Sequence, residues 1–179
     1  MMRIRLGFAL AGTLFASCAV AQMPTATIVA PGQLAQRDVD FLRKADAANV
    51  AQLTLGNTAA THAVNPGVHL LANKVVASYK KAIVAMRMLA GAKHVDLANK
   101  PTPAQHDEIR DLVDQRGAHA DHLYVVDVAR DSNDLMAFYT DMRNNAEDGD
   151  VRAYAAEMLP EVKAHRRYAS DMLAANSTH

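Results

Sequence analysis

Four separate stretches of this chain carry apolar side chains in steps of three and four, the spacing of one helix face. In residues 121–142 the stripe is Val125, Val128, Leu135, Tyr139 and Met142. Ser132 sits at its centre, and Asp121 lies one turn before its start. Phe41, Ala45, Ala48, Gln52, Leu55 and Ala59 form a second stripe, with Gln52 as its polar exception. Val68, Leu71, Val75, Tyr79, Ala82, Met86 and Leu89 form a third. Val151, Tyr154, Met158, Val162, His165, Ala169 and Met172 form the fourth. A helix with one apolar face has to bury it against other elements. No credible strand or glycine-rich phosphate loop appears. The sequence therefore predicts an all-α helical bundle in one domain.

Local signals place the boundaries. The first helix starts near Gln36 and runs to about His62, and Gly56 within it implies close approach of a neighbour. Asn65-Pro66 reads as a cap followed by a first-turn proline. The second helix runs to about Ala90, with Gly91 as its stop. Thr102-Pro103 opens a short third helix whose narrow apolar face is Ile109, Leu112 and Val113, and Gly117 breaks it. The fourth helix covers 121–145. The turn Glu147-Asp148-Gly149-Asp150 supplies a cap for the fifth, which spans 151–175 and is expected to kink at Pro160. Residues 22–35 read as a flexible leader.

The first 21 residues have the form of a secretory signal. Arg3 and Arg5 precede an apolar run from Leu6 to Val20, and Ala19-Val20-Ala21 gives a small-x-small cleavage pattern. The run is too short to cross a bilayer comfortably. Periplasmic export is the expectation, with no transmembrane span in the mature chain. Cys18 is the only cysteine. Cleavage after Ala21 leaves no thiol and excludes disulfides and cysteine catalysis. An outer-membrane lipoprotein acylated at Cys18 is the lesser reading, because Phe15 stands where such a signal usually has Leu. The 19 basic and 19 acidic residues of the 179 give no net charge, and removing 1–21 leaves −2. That balance argues against nucleic acid as a partner.

Gln52, Tyr79, Ser132 and His165 are polar residues in the middle of the four long stripes, and Asp121 lies at the edge of one. A two-metal carboxylate bundle would project Glu and Glu-x-x-His ligands from such places. Glu-x-x-His does not occur here. The expectation is that these groups hydrogen-bond one another across the core, with Ser132 bonding the preceding turn. A single transition-metal ion at Asp121 and His165 is the alternative. His119 and His122 share one face and form a weaker surface candidate for Zn or Cu. No nucleophile elbow supports Ser132 as a catalyst, and no catalytic constellation is found. Lys80, Lys81, Arg87 and Lys93 form a mild basic side on the second helix, which reads as a solvated face.

The order of the signal, RDVDFLRKADAANVAQLTLGNTA, VHLLANKVVASYKKA, DHLYVVDVARDSNDLMAFY and LPEVKAHRRYASDML resembles an exported ferritin-like family, domain of unknown function 4142. The resemblance covers about residues 36–174. Its landmarks are Leu55-Gly56, Asp121 with Tyr124, and Leu159-Pro160 with His165. It implies a ferritin-like four-helix bundle with one additional short helix. The family pattern usually has Glu where Gln52 stands and His where Tyr79 and Ser132 stand, while Asp121, Tyr124 and His165 match. The resemblance thus implies a member whose metal-ligand positions are largely lost. The expected role is non-enzymatic: a structural, envelope-stress or interaction module, with an envelope protein or a second copy as partner. A metal-dependent oxidative-stress protein is the alternative. A binder of a small apolar ligand, with Tyr79 and His165 as polar handles, is a third reading.

Overall fold

The computed structural model describes residues 34–176, so the signal, Cys18 and most of the leader lie outside the described residues. Five helices follow in order: α1 Gln36–His62, α2 Pro66–Ala92, α3 Pro103–Asp114, α4 Gly117–Asn145 and α5 Gly149–Asn176. The anticipated starts of α1, α2 and α3 hold. Asn65 caps α2 by accepting from the Gly67 amide at 2.8 Å. Thr102 and Gln105 form a reciprocal capping box on α3. Asp148 caps α5, its Oδ1 accepting from the amides of Asp150 and Val151.

Three local expectations need correction. Gly91 lies inside α2, which ends only at Ala92, so it is not the stop. Helix α3 ends at Asp114, before Gly117. Gly117, at φ +62°, is instead the first residue of α4, which starts four residues before Asp121. Val113 is 44 % exposed, leaving Leu112 as the buried contact of α3. Pro160 lies inside α5, where the sequence placed it.

Cross-helix contacts fix the topology. Arg37 reaches Asp141, and Asp121 reaches Val64 and Asn65, so α1 and α4 run antiparallel. Ser78 donates to Glu161, and Met172 packs near Gly67, so α2 and α5 also run antiparallel. Both α1–α2 and α4–α5 are hairpins, so α2 and α4 are parallel. The long link 93–102 together with α3 joins them, the single crossover of a ferritin-like bundle. Helix α3 packs against α1 and α4. The architecture is an all-α, ferritin-like four-helix bundle with one extra short helix.

The anticipated stripes meet in one core. Phe41, Leu55, Leu71, Val75, Met86, Tyr139, Val151 and Val162 are all at most 2 % exposed. Gly56 permits the expected close approach of α1 to α2. A Cβ there would stand 3.0 Å from Val76 Cγ2 and 3.2 Å from Val75 Cγ1.

Candidate functional site

Gln52, Tyr79, Ser132 and His165 are all buried, as their stripes require. They do not form the mutual network expected of them. Gln52 Nε2 donates to Asp131 Oδ2 at 2.6 Å. The Tyr79 and His165 rings lie 5.7 Å apart, tilted by 37°. The local hydroxyl bond expected of Ser132 is found instead on α1, where Thr54, Thr58 and Thr61 donate to carbonyls one turn back.

Burial sets the chemistry of these groups. It lowers His165 to about 4, with nearby Lys74 adding to the effect and Glu161 opposing it, so the imidazole is neutral at pH 7. It raises the Tyr79 phenol far above its ordinary range, so that hydroxyl does not ionise. Tyr124 is driven the same way. Its hydroxyl is buried without a hydrogen-bond partner.

Asp121 is committed elsewhere. Its Oδ2 accepts from the amides of Asn65 at 2.7 Å and Val64 at 3.2 Å, and Oδ1 lies 3.3 Å from the Val64 amide. It therefore pins the turn between α1 and α2. Met172 lines the same cavity as Asp121. His165 sits two turns further along α5, about 10 Å away on the bundle axis. The structure thus keeps the two proposed ligands of a single ion apart. His119 and His122 are exposed in the first turns of α4.

Two further buried carboxylates repeat this arrangement. Asp38 Oδ2 accepts from the Asp148 amide at 2.7 Å and thereby holds the α4–α5 turn. Asp46 Oδ2 accepts from the Asn99 amide at 2.8 Å and holds the crossover, where Asn99 has φ +51°. Each connection between long helices is therefore tied to the bundle by one buried aspartate. Between these ties, Asn49 donates to the Tyr154 hydroxyl at 2.8 Å, with Tyr139 donating to Asn49 Oδ1 at 3.5 Å. Burial pushes the Tyr154 hydroxyl up to about 12.

A carboxylate cluster absent from the sequence reading lies between α3 and α4. Arg130 pairs with Glu108, with Asp127 at 3.1 Å and with Asp131 at 3.0 Å. Burial raises Asp127 to about 6, helped by Asp131 and Asp111. Burial also raises Asp131, against the pull of Arg130 and Gln52. Among the described residues, no three His, Cys, Asp or Glu side chains are grouped to hold a metal ion.

Of the cavities, one of about 460 Å³ lies at this cluster, lined by Glu108, Asp127, Arg130 and Asp131 among others. Another of about 100 Å³ lies where the end of α1 meets α3 and α4, lined by Thr58, His62, Leu112, Arg116 and Asp121 among others. Neither Tyr79 nor His165 lines it, so the third reading, which used them as handles, gains nothing from it.

A metal bound in the core would need anionic oxygens and free imidazoles. The positions present supply an amide, an un-ionised phenol, a hydroxyl and one neutral histidine. The donor set does not fit a two-metal centre.

A family model described as domain of unknown function (DUF4142) matches residues 23–172. No curated protein matches. Among solved structures, the crystal structure of a DUF305 fragment from Deinococcus radiodurans aligns with a TM-score of 0.71 at 15 % identity. The alignment covers 79 % of this chain and 98 % of that one, and at this identity it speaks to the fold alone.

Proposed function

The chain belongs to the DUF4142 family, and on that premise we propose that it is a non-enzymatic, exported helical-bundle protein, a structural or interaction module of the cell envelope. One observation carries the reading: Asp121, the family-type carboxylate at the edge of the core, spends both oxygens on the backbone amides of the α1–α2 turn. A carboxylate so engaged is a tether, and the remaining core positions are poor ligands. The form of residues 1–21 supports export. Among the described residues no helix is long and apolar enough to cross a membrane.

Elemental analysis tests the reading. The untagged chain is exposed to Fe, Zn, Cu and Mn in turn, desalted and assayed for bound metal. The expected result is metal well below one ion per chain. Stoichiometric metal that disappears in His165→Ala would overturn the proposal in favour of a metal-dependent protein.

A further inference from the structure

Helix α2 carries Lys74, Lys80, Lys81 and Arg87 and no acidic residue. Its outer face repeats Leu70, Lys74, Ala77, Lys81, Val84 and Met88 in steps of four and three, and all six are exposed. Leu70, Val84 and Met88 are 57, 58 and 72 % exposed, an unusual concentration of large apolar side chains on one helix. The stripe is about 27 Å long at 1.5 Å per residue. Beside it on α5, Tyr168 is 38 % exposed, with Lys74 Nζ 5.2 Å from its ring centre and Arg167 5.5 Å away. Acidic groups on this side include Glu157 and Glu161, with Glu161 accepting from Ser78 at 2.6 Å, and exposed Asp171 follows Tyr168 by one turn of α5. The carboxylate cluster lies on α3 and α4, and α3 packs against α1 and α4.

We propose that the outer face of α2 is a docking surface for an anionic lipid bilayer, on which the bundle lies with α2 in the plane of the headgroups. The charge pattern selects the occupant. A second copy packed face to face would bring lysine rows together. The core of a protein interface is depleted of charged residues, yet lysines interrupt the apolar positions of this stripe. An interfacial helix needs that mixture: apolar side chains enter the headgroup boundary, and lysine stems lie along it with their ammonium groups at the phosphates. The inference deepens the envelope reading and depends on it only for the compartment, because the face can be tested in solution.

The full chain is sedimented with vesicles of phosphatidylcholine and with vesicles containing equal parts of phosphatidylcholine and phosphatidylglycerol. The N-terminus, with Arg3 and Arg5 before its apolar run, itself favours the anionic vesicles, so the decisive readout is the change that substitutions on α2 make in that preference. Binding is expected to be at least about fivefold stronger on the anionic vesicles and to weaken with added salt. Lys80→Gln with Lys81→Gln should lower that anionic binding by more than about tenfold, taking about fivefold for each cation near the surface. Arg110→Gln, on exposed α3, should leave it unchanged. All three side chains are exposed, and circular dichroism confirms that the variants fold. Equal binding to both vesicle types, or binding indifferent to the lysine changes, would overturn the proposal. Retention on immobilised polyglutamate without preference for anionic vesicles would assign the face to an acidic protein and equally overturn it. Neither outcome touches the metal result, so the two proposals fail separately.

Discussion

Replacing Asp121 with Ala removes the acceptor for two backbone amides in the α1–α2 turn. The carboxylate is 6 % exposed and lies 2.7 Å from the Asn65 amide and 3.2 Å from that of Val64. A hydrogen bond to a charged acceptor contributes about 1.5–3 kcal/mol. Val64 is itself 64 % exposed, so water reaches the turn in the variant and moderates the loss. The two bonds together are expected to cost about 2–3 kcal/mol, near the low end for two charged bonds. For a chain of 179 residues that corresponds to a fall of about 5–10 °C in melting temperature. Asp121→Asn keeps one uncharged acceptor and should lose about half as much. Urea unfolding followed by circular dichroism measures both variants, each before and after treatment with a chelator. The tether account requires losses in that order, with chelator changing nothing. A loss below about 0.5 kcal/mol for Asp121→Ala, the size of an ordinary surface substitution, would refute it. So would a loss that vanishes once wild type is stripped of metal.

Other perturbations follow from the same contacts. His165 has a folded pKa of about 4, below its unfolded value near 6.5, so its contribution to stability is lost as pH falls from about 6.5 to 4, by about 3 kcal/mol. Asp127, at about 6 when folded against an ordinary value of 3.8, takes up its proton first in the folded state. Its contribution therefore rises as pH falls from 6 to about 4, by about 2 kcal/mol given the opposing Arg130. Wild type should show a shallow acid dependence over that range. Asp127→Asn should steepen the loss and His165→Leu should reverse it, both read from urea midpoints against pH. Asn49→Ala removes the amide that bridges the Tyr154 and Tyr139 hydroxyls, which keep each other as partners, and should cost about 1–2 kcal/mol by the same assay. Gly56→Ala gains up to about 1 kcal/mol of helix propensity but pushes a methyl to 3.0 Å from the stiff Val76 side chain, so a net loss of about 1 kcal/mol is expected in thermal melts. Expression in a Gram-negative host followed by fractionation and intact mass should find the chain in the periplasm, cut after Ala21.

The helical period made most of the bundle legible, because each stripe had to find a partner face. It located Gln52, Tyr79, Ser132 and His165 in the core but not their contacts, which depend on how four helices are rotated about their axes. The buried tethers were less visible. Asp38 stands one turn before Phe41, on the same stripe, and that position was the available signal. Asp46 and Asn49 lie beside Leu42 on a second face of α1. That face is buried because α1 packs against α2, α3 and α4 rather than against one neighbour. A single stripe cannot express such a wide contact. Asp127 was hidden for another reason: its burial depends on short α3 folding back over α4, which no local pattern reports. The partners of Asp38, Asp46 and Asp121 are backbone amides 53 or more residues away, and amides carry no sequence identity to read. Gly91 and Gly117 show the same limit at smaller scale. A glycine signals freedom, and the surrounding packing decides whether a helix stops at it, passes through it or starts from it.

On the reading proposed above, tethers and apolar packing hold this core rather than an ion. The most direct test is the melting temperature of the chain with and without Fe, Zn, Cu and Mn at concentrations far above that of the protein. The account predicts no upward shift with any of them. An ion present at a hundredfold over its dissociation constant would add about 2.7 kcal/mol and raise the melting point by roughly 5–10 °C. A shift of that size, abolished in His165→Ala, would contradict it.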